Sequence, residues 1–139
     1  MNKETGLLNE LLRTPIQKIS SETPLCLSAQ TPVVEAVRGM KRDKQTAVIV
    51  MRDARVAGIF TERDVMLRIK HDDVNWRETP LGRLMTENPA SISSDSTLGH
   101  ALQLMRKGPY RHVPVIRENG DVVAVLSIRA IISFIADCY

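Results

Sequence analysis

Thr61 and Asp64 stand one helical turn apart in the run Gly58-Ile59-Phe60-Thr61-Glu62-Arg63-Asp64, directly after an apolar stretch. A strand ending at Phe60 and a helix starting at Thr61 would bring unpaired backbone N–H groups and the positive end of a helix dipole to one point, a ready site for phosphate. The Thr61 hydroxyl adds a donor there. The Asp64 carboxylate has the capacity to accept hydrogen bonds from both hydroxyls of a ribose, and its charge strengthens them. The same Thr-x-x-Asp spacing also spells a capping box, in which the two residues satisfy each other and bind nothing else. Both chemistries are open at this level.

Positive charge to meet an anion comes from Arg63 and, later in the chain, from Arg111, His112 and Arg129. Arg111 and Arg129 suit solvated surface positions equally well, or surface ion pairs worth about 0–1 kcal/mol. His112 opens an apolar run and suits a packed strand position; as a phosphate contact it would tune binding near its ordinary pKa of about 6.5. His71-Asp72-Asp73 contains metal-ligand types, but three neighbours on a loop do not converge on one ion without outside ligands, which favours a solvated linker. There is no Gly-x-Gly-x-x-Gly, Walker, Ser-elbow, His-Glu-x-x-His or paired Cys/His pattern, so the sequence supports no catalyst.

The chain has 139 residues, 43% hydrophobic and 25% charged, which suits one compact domain or two small halves sharing a core and excludes a multidomain enzyme. Nineteen Lys and Arg against sixteen Asp and Glu leave +3, a mild bias toward small anions, and an aromatic content of 4% offers little for base stacking. Nucleic acid is a disfavoured partner. Cys26 and Cys138, far apart and without companion histidines, indicate neither zinc nor a disulfide framework and fit a reducing compartment. No apolar run nears about 18 residues, and Glu4 before a short Leu-rich stretch is unlike a secretory signal. A soluble cytoplasmic protein without membrane association is expected.

The elements that must position these residues come twice. An offset of 65 residues lays Pro24 on Pro89, Ala36 on Ala101, Met40 on Met105, Val48 on Val113 and Val50 on Val115. After one added residue in Glu118–Asp121 the offset is 66, and Gly58 meets Ala124, Thr61 meets Ser127, Arg63 meets Arg129 and Asp64 meets Ala130. The lead-ins Ile16–Ser20 and Leu81–Met85 match as well. Val33, Ala36, Val37 and Met40, and likewise Leu98, Ala101, Leu102 and Met105, form helical stripes. Thr31 is the expected cap of the first, with Pro32 at the first helical position, and Ser96 of the second. Apolar runs at 47–51, 56–60, 113–116 and 122–126 read as strands, the last pair joined by a turn holding Asn119-Gly120. Helices are expected from Thr61 to about Lys70, from Ser127 to about Asp137, and loosely over Thr5–Leu12. Each unit reads β-α-β-β-α, and at 46 to 47 residues (24–69 and 89–135) neither buries enough surface to stand alone.

This tandem repeat, with Gly-Ile-Phe-Thr-Glu-Arg-Asp in the first copy and Tyr110-Arg111-His112-Val113-Pro114-Val115-Ile116 in the second, resembles a pair of CBS domains, the cystathionine-β-synthase-type regulatory repeats. The resemblance covers about residues 14–137. It implies an α+β fold of two repeats packed as a pseudo-twofold pair, divided here as an N-terminal helical extension (1–13), repeat one (14–71), a linker (72–79) and repeat two (80–139). It also implies a regulatory module, with no catalytic cofactor, that binds AMP, ADP, ATP or another adenosyl nucleotide in a cleft between repeats. The implied site residues are Thr61, Arg63, Asp64, Arg111, His112, Ser127 and Arg129. In related pairs a ribose held by the Asp of one repeat has its phosphate met by basic residues of the other. Asp64 and Thr61 would thus share a cleft with Arg111, His112 and Arg129, while Ala130 would share one with Thr46, Ala47 and Arg63. One competent cleft per chain is expected, beside a degenerate one. The apolar helix 127–137 and the family habit imply a homodimer, with signalling through it or through an unknown effector protein. A purely structural interaction module without ligand binding is the alternative.

Overall fold

Val48, Val50 and Phe60 alternate along their strands with Ala47, Ile49 and Ile59, and all six are buried, so the two strands are covered on both faces. The computed structural model describes residues 3–19, 21, 23–69, 74–108 and 110–139; His71, Asp72 and Asp73 lie outside the described residues. The elements are α1 (Lys3–Leu12), β1 (Leu25–Ser28), α2 (Val33–Asp43), β2 (Ala47–Arg52), β3 (Arg55–Thr61), α3 (Glu62–Ile69), β4 (Thr86–Glu87), β5 (Ile92–Ser93), α4 (Leu98–Arg106), β6 (His112–Ile116), β7 (Val122–Ser127) and α5 (Ile128–Cys138). Short 3-10 turns at Ile16–Lys18 and Leu81–Arg83 are the two lead-ins. The mixed α/β architecture expected from the repeat is present.

Two compact units result, one of residues 23–89 and one composed of 1–22 together with 90–139. In the 23–89 unit the strand order is β1-β2-β3-β4, with β1 parallel to β2 and the remaining pairs antiparallel. Val33, Ala36 and Met40 of α2 pack with Val48, Val50, Phe60, Leu81, Leu84 and Met85. A two-residue loop, Asp53-Ala54, joins β2 to β3 with φ of 53° and 62°, the twist-matching hairpin geometry that usually takes Asn-Gly. In the composite unit the order is β5-β6-β7. Leu98, Ala101 and Met105 of α4 pack there with Val113, Val115, Leu126 and Ile131, and with Leu11, Ile16 and Ile19 from the N-terminal segment. The β6–β7 turn closes through Gly120 N–H to Arg117 C=O (2.8 Å), with Gly120 at φ 93°.

Each lead-in packs in the unit that holds the body of the other repeat, and it does so through main-chain bonds that obey the 65-residue offset. Ile16 N–H donates to Ser96 C=O, as Leu81 N–H donates to Thr31 C=O, both at 2.9 Å. Leu98 N–H donates to Thr14 C=O (2.8 Å), as Val33 N–H does to Thr79 C=O (2.9 Å). These bonds correct the expected caps. Thr31 is not the cap of α2: Pro32 is the extended N-cap residue itself (φ −60°, ψ 141°), and the first N–H groups of α2 go to Thr79 and, at 2.7 Å, to Trp76. In α4 the cap is Thr97, whose hydroxyl accepts from His100 N–H at 3.3 Å, while Ser96 Oγ meets His100 Nδ1 at 3.2 Å. A side-chain cap is one of several ways to satisfy an orphan N–H, and at α2 carbonyls from distant segments have taken its place.

Candidate functional site: two strand-to-helix corners

At the end of β3, Thr61 faces Ala47 as a pair that exchanges no main-chain bond, because Glu62 N–H reaches Thr46 C=O (3.0 Å) one position on. Thr61 N–H therefore points away from the ladder and donates to Asp64 Oδ2 at 2.8 Å. The Thr61 hydroxyl donates to the same oxygen at 3.2 Å, and Oγ1 accepts from Asp64 N–H at 3.4 Å. The capping box is complete, and α3 starts at Glu62 rather than at Thr61. Thr61 and Asp64 are partly buried, while Arg63 is exposed.

The matching corner of the composite unit is built alike up to one residue. Ser127 faces His112, and Ile128 N–H donates to Arg111 C=O at 3.0 Å. Ser127 is buried and its Oγ accepts from Ala130 N–H at 3.1 Å, which caps α5. With Ala130 in place of Asp64 the reciprocal carboxylate is missing. Arg111 and Arg129 are exposed and His112 is partly buried. The structure thus brings Thr61, Arg63 and Asp64 together at one corner, next to Thr46 and Ala47. It brings Arg111, His112, Ser127 and Arg129 together at the other.

Sequence reasoning passed over two features. Gln45 Nε2 donates to Asp43 C=O (3.4 Å), while its Oε1 is buried with no hydrogen-bond partner among the described residues. Gln45 is a polar residue in a helix-to-strand loop, and no signal in the sequence marks it. A surface depression of about 420 Å³ lies between the end of β1 and the β2–β3 hairpin, lined in part by Cys26, Ser28, Gln30, Met51 and Arg52. Burial pushes the Cys26 thiol up from its ordinary pKa, away from the thiolate a nucleophile needs. Among the described residues no group of three or more His, Cys, Asp or Glu converges on a metal position, and no helix is long and apolar enough to cross a membrane.

Comparison with known proteins agrees with this architecture. A CBS domain-containing protein of Arabidopsis thaliana, CBSCBSPB5, is 37% identical over 105 residues, which is 75% of this chain and 19% of that protein. The chain spans about a fifth of the length of its first curated relatives. Among solved structures, a CBS domain pair in complex with 5′-methylthioadenosine and S-adenosyl-L-methionine superposes with a TM-score of 0.79 at 18% identity, covering 91% of this chain and 98% of that one. A CBS domain protein from Pyrobaculum aerophilum complexed with AMP gives 0.74 at 20% identity, covering 84% and 88%. The family model for the CBS domain matches twice, over residues 16–71 and 81–137. The chain belongs to the CBS domain family and carries its domains as a tandem pair.

Proposed function

We propose that this chain is a regulatory binding module, not a catalyst, that takes one adenosine-containing ligand of the AMP, ADP or ATP type in a cleft between its repeats and signals through a homodimer or an effector protein. The observation that carries this reading is the asymmetry of the two corners. The Asp64 carboxylate has no counterpart at Ala130, while Arg111 and His112 answer to Thr46 and Ala47. The AMP of one structural neighbour and the S-adenosylmethionine of another support the ligand class. In this assignment Asp64 holds the ribose hydroxyls and Thr61 donates to phosphate. Arg111, His112 and Arg129 meet the phosphate from the second repeat, with Ser127 and Arg63 at the rims of the two helix starts. Among the described residues the capping box occupies Oδ2 of Asp64 and leaves Oδ1 open to the ribose.

Calorimetric titration with AMP, ADP, ATP, NADH and S-adenosylmethionine tests the reading. One ligand per chain is expected. Asp64→Ala lowers affinity at least about tenfold through the loss of charge-assisted bonds worth about 1.5–3 kcal/mol each. It also costs about 0.5–2 kcal/mol of stability through the lost cap. Two equivalent sites per chain, or an unchanged affinity in Asp64→Ala, overturn the site. No binding by any member of the panel favours the structural module instead.

A further inference from the structure

The Asp64 carboxylate is already in use. Oδ2 accepts from Thr61 N–H at 2.8 Å and from the Thr61 hydroxyl at 3.2 Å, and among the described residues both of its bonds fall on that one oxygen. A carboxylate oxygen carries two lone pairs, so Oδ2 is filled while Oδ1 is open. A vicinal diol that grips a carboxylate with one hydroxyl on each oxygen needs a lone pair from both. Oδ2 must then release one of its present donors.

The two donors are not equally free to leave. Thr61 N–H is fixed by the strand, between the Ala47 pairing and the Glu62-to-Thr46 bond, and it makes the shorter contact. The hydroxyl leaves by rotation about its own Cβ–Oγ1 bond, and its oxygen stays anchored by Asp64 N–H. Once off the carboxylate, its hydrogen needs a new acceptor, and the acceptor favoured beside the first turn of a helix is an anion. We infer that Thr61 couples the two halves of a phosphorylated vicinal diol: occupation of Asp64 by the diol turns the Thr61 hydroxyl over to the phosphate. This rests on the ribose reading above and adds to it that ribose and phosphate are recognised cooperatively through one side chain. The corner at Ser127 cannot do this, because Ala130 offers no carboxylate from which a hydroxyl could be displaced.

The test is a four-ligand comparison by calorimetry on the full chain, using AMP, adenosine and the 2′,3′-dideoxy form of each, with the weak binders measured by competition against AMP. The phosphate is expected to raise affinity about 3- to 10-fold more when the diol is present than when it is absent, the net effect of about one hydrogen bond. Thr61→Val abolishes that excess and Thr61→Ser, which retains the hydroxyl, keeps it. An excess that survives in Thr61→Val, or a phosphate gain of equal size with and without the diol in the unsubstituted chain, overturns the coupling while leaving ribose recognition standing. Failure of the ribose reading looks different: AMP and its dideoxy form then bind alike, and the coupling falls with it. If Thr61→Val does not fold, the comparison on the unsubstituted chain decides alone.

Discussion

Gly58 shows how a single missing methyl group is dictated by a neighbour. An ideal Cβ at this position would lie 2.7 Å from Thr86 C=O and closer still to Met85 Sδ, because β4 pairs against β3 there. Met85 is flexible, but the carbonyl belongs to a paired backbone and cannot yield. The matching position in β7 is Ala124, where the three-stranded sheet ends. Gly58→Ala is therefore expected to destabilise the protein by about 1–3 kcal/mol, read by urea unfolding with the fluorescence of Trp76, the single Trp, which packs in the same unit. An unchanged midpoint would mean that β4 can be displaced freely. At the residue scale the repeat made Thr61, Asp64 and their counterparts legible, because an offset compares like with like. It left silent the buried Oε1 of Gln45 and the left-handed Ala54, since neither residue type advertises its conformation.

Apart from the two-residue β4, which no apolar run announces, the strands and helices given bounds were legible to within a residue or two, because period and burial coincide in them: α2 and α4 bury the stripes that their sequences display. What caps them was not. The carbonyls of Thr14, Thr79 and Trp76 come from far along the chain, and local sequence holds no record of them. The same holds for α1 and its lead-in. A loose helix was expected over Thr5–Leu12, but Leu11 is buried in the core of the composite unit, together with Ile16 and Ile19 of the lead-in. Burying an aliphatic side chain is worth about 1.5–3 kcal/mol, so removing residues 1–19 deletes a contribution comparable to the whole stability of a small domain. The truncated chain should lose amide hydrogen-exchange protection across α4, β6 and β7 while Trp76 fluorescence in the other unit stays native-like. Full protection of α4 after truncation would show that the segment is dispensable.

Across the whole molecule, apolar surface is left over. Met66 and Leu67 on α3 and Ile132 on α5 are 67%, 49% and 60% exposed. Much of α5 is satisfied internally, with Ile131 buried and Phe134 and Ile135 packed against the core, so the excess is smaller than the helix sequence alone suggests. The proposed homodimer would cover what remains, and light scattering at high micromolar concentration should report about twice 15.6 kDa. A monomer there, or a Met66→Lys, Ile132→Lys double variant as dimeric as the unsubstituted chain, would send the contact elsewhere. The composite unit has a further consequence, which concerns time. Residues 23–89 form an unbroken insert between its two parts. On a ribosome working from the N-terminus, the insert can complete its core while Leu11, Ile16 and Ile19 still wait for strands that have yet to be made. Closing so long a loop carries an entropic cost that grows only slowly with length, so the delay costs little at equilibrium. It does leave three apolar side chains without partners until α4, β6, β7 and α5 have been made, which makes this segment the natural point of attack for chaperones, proteases and aggregation during synthesis.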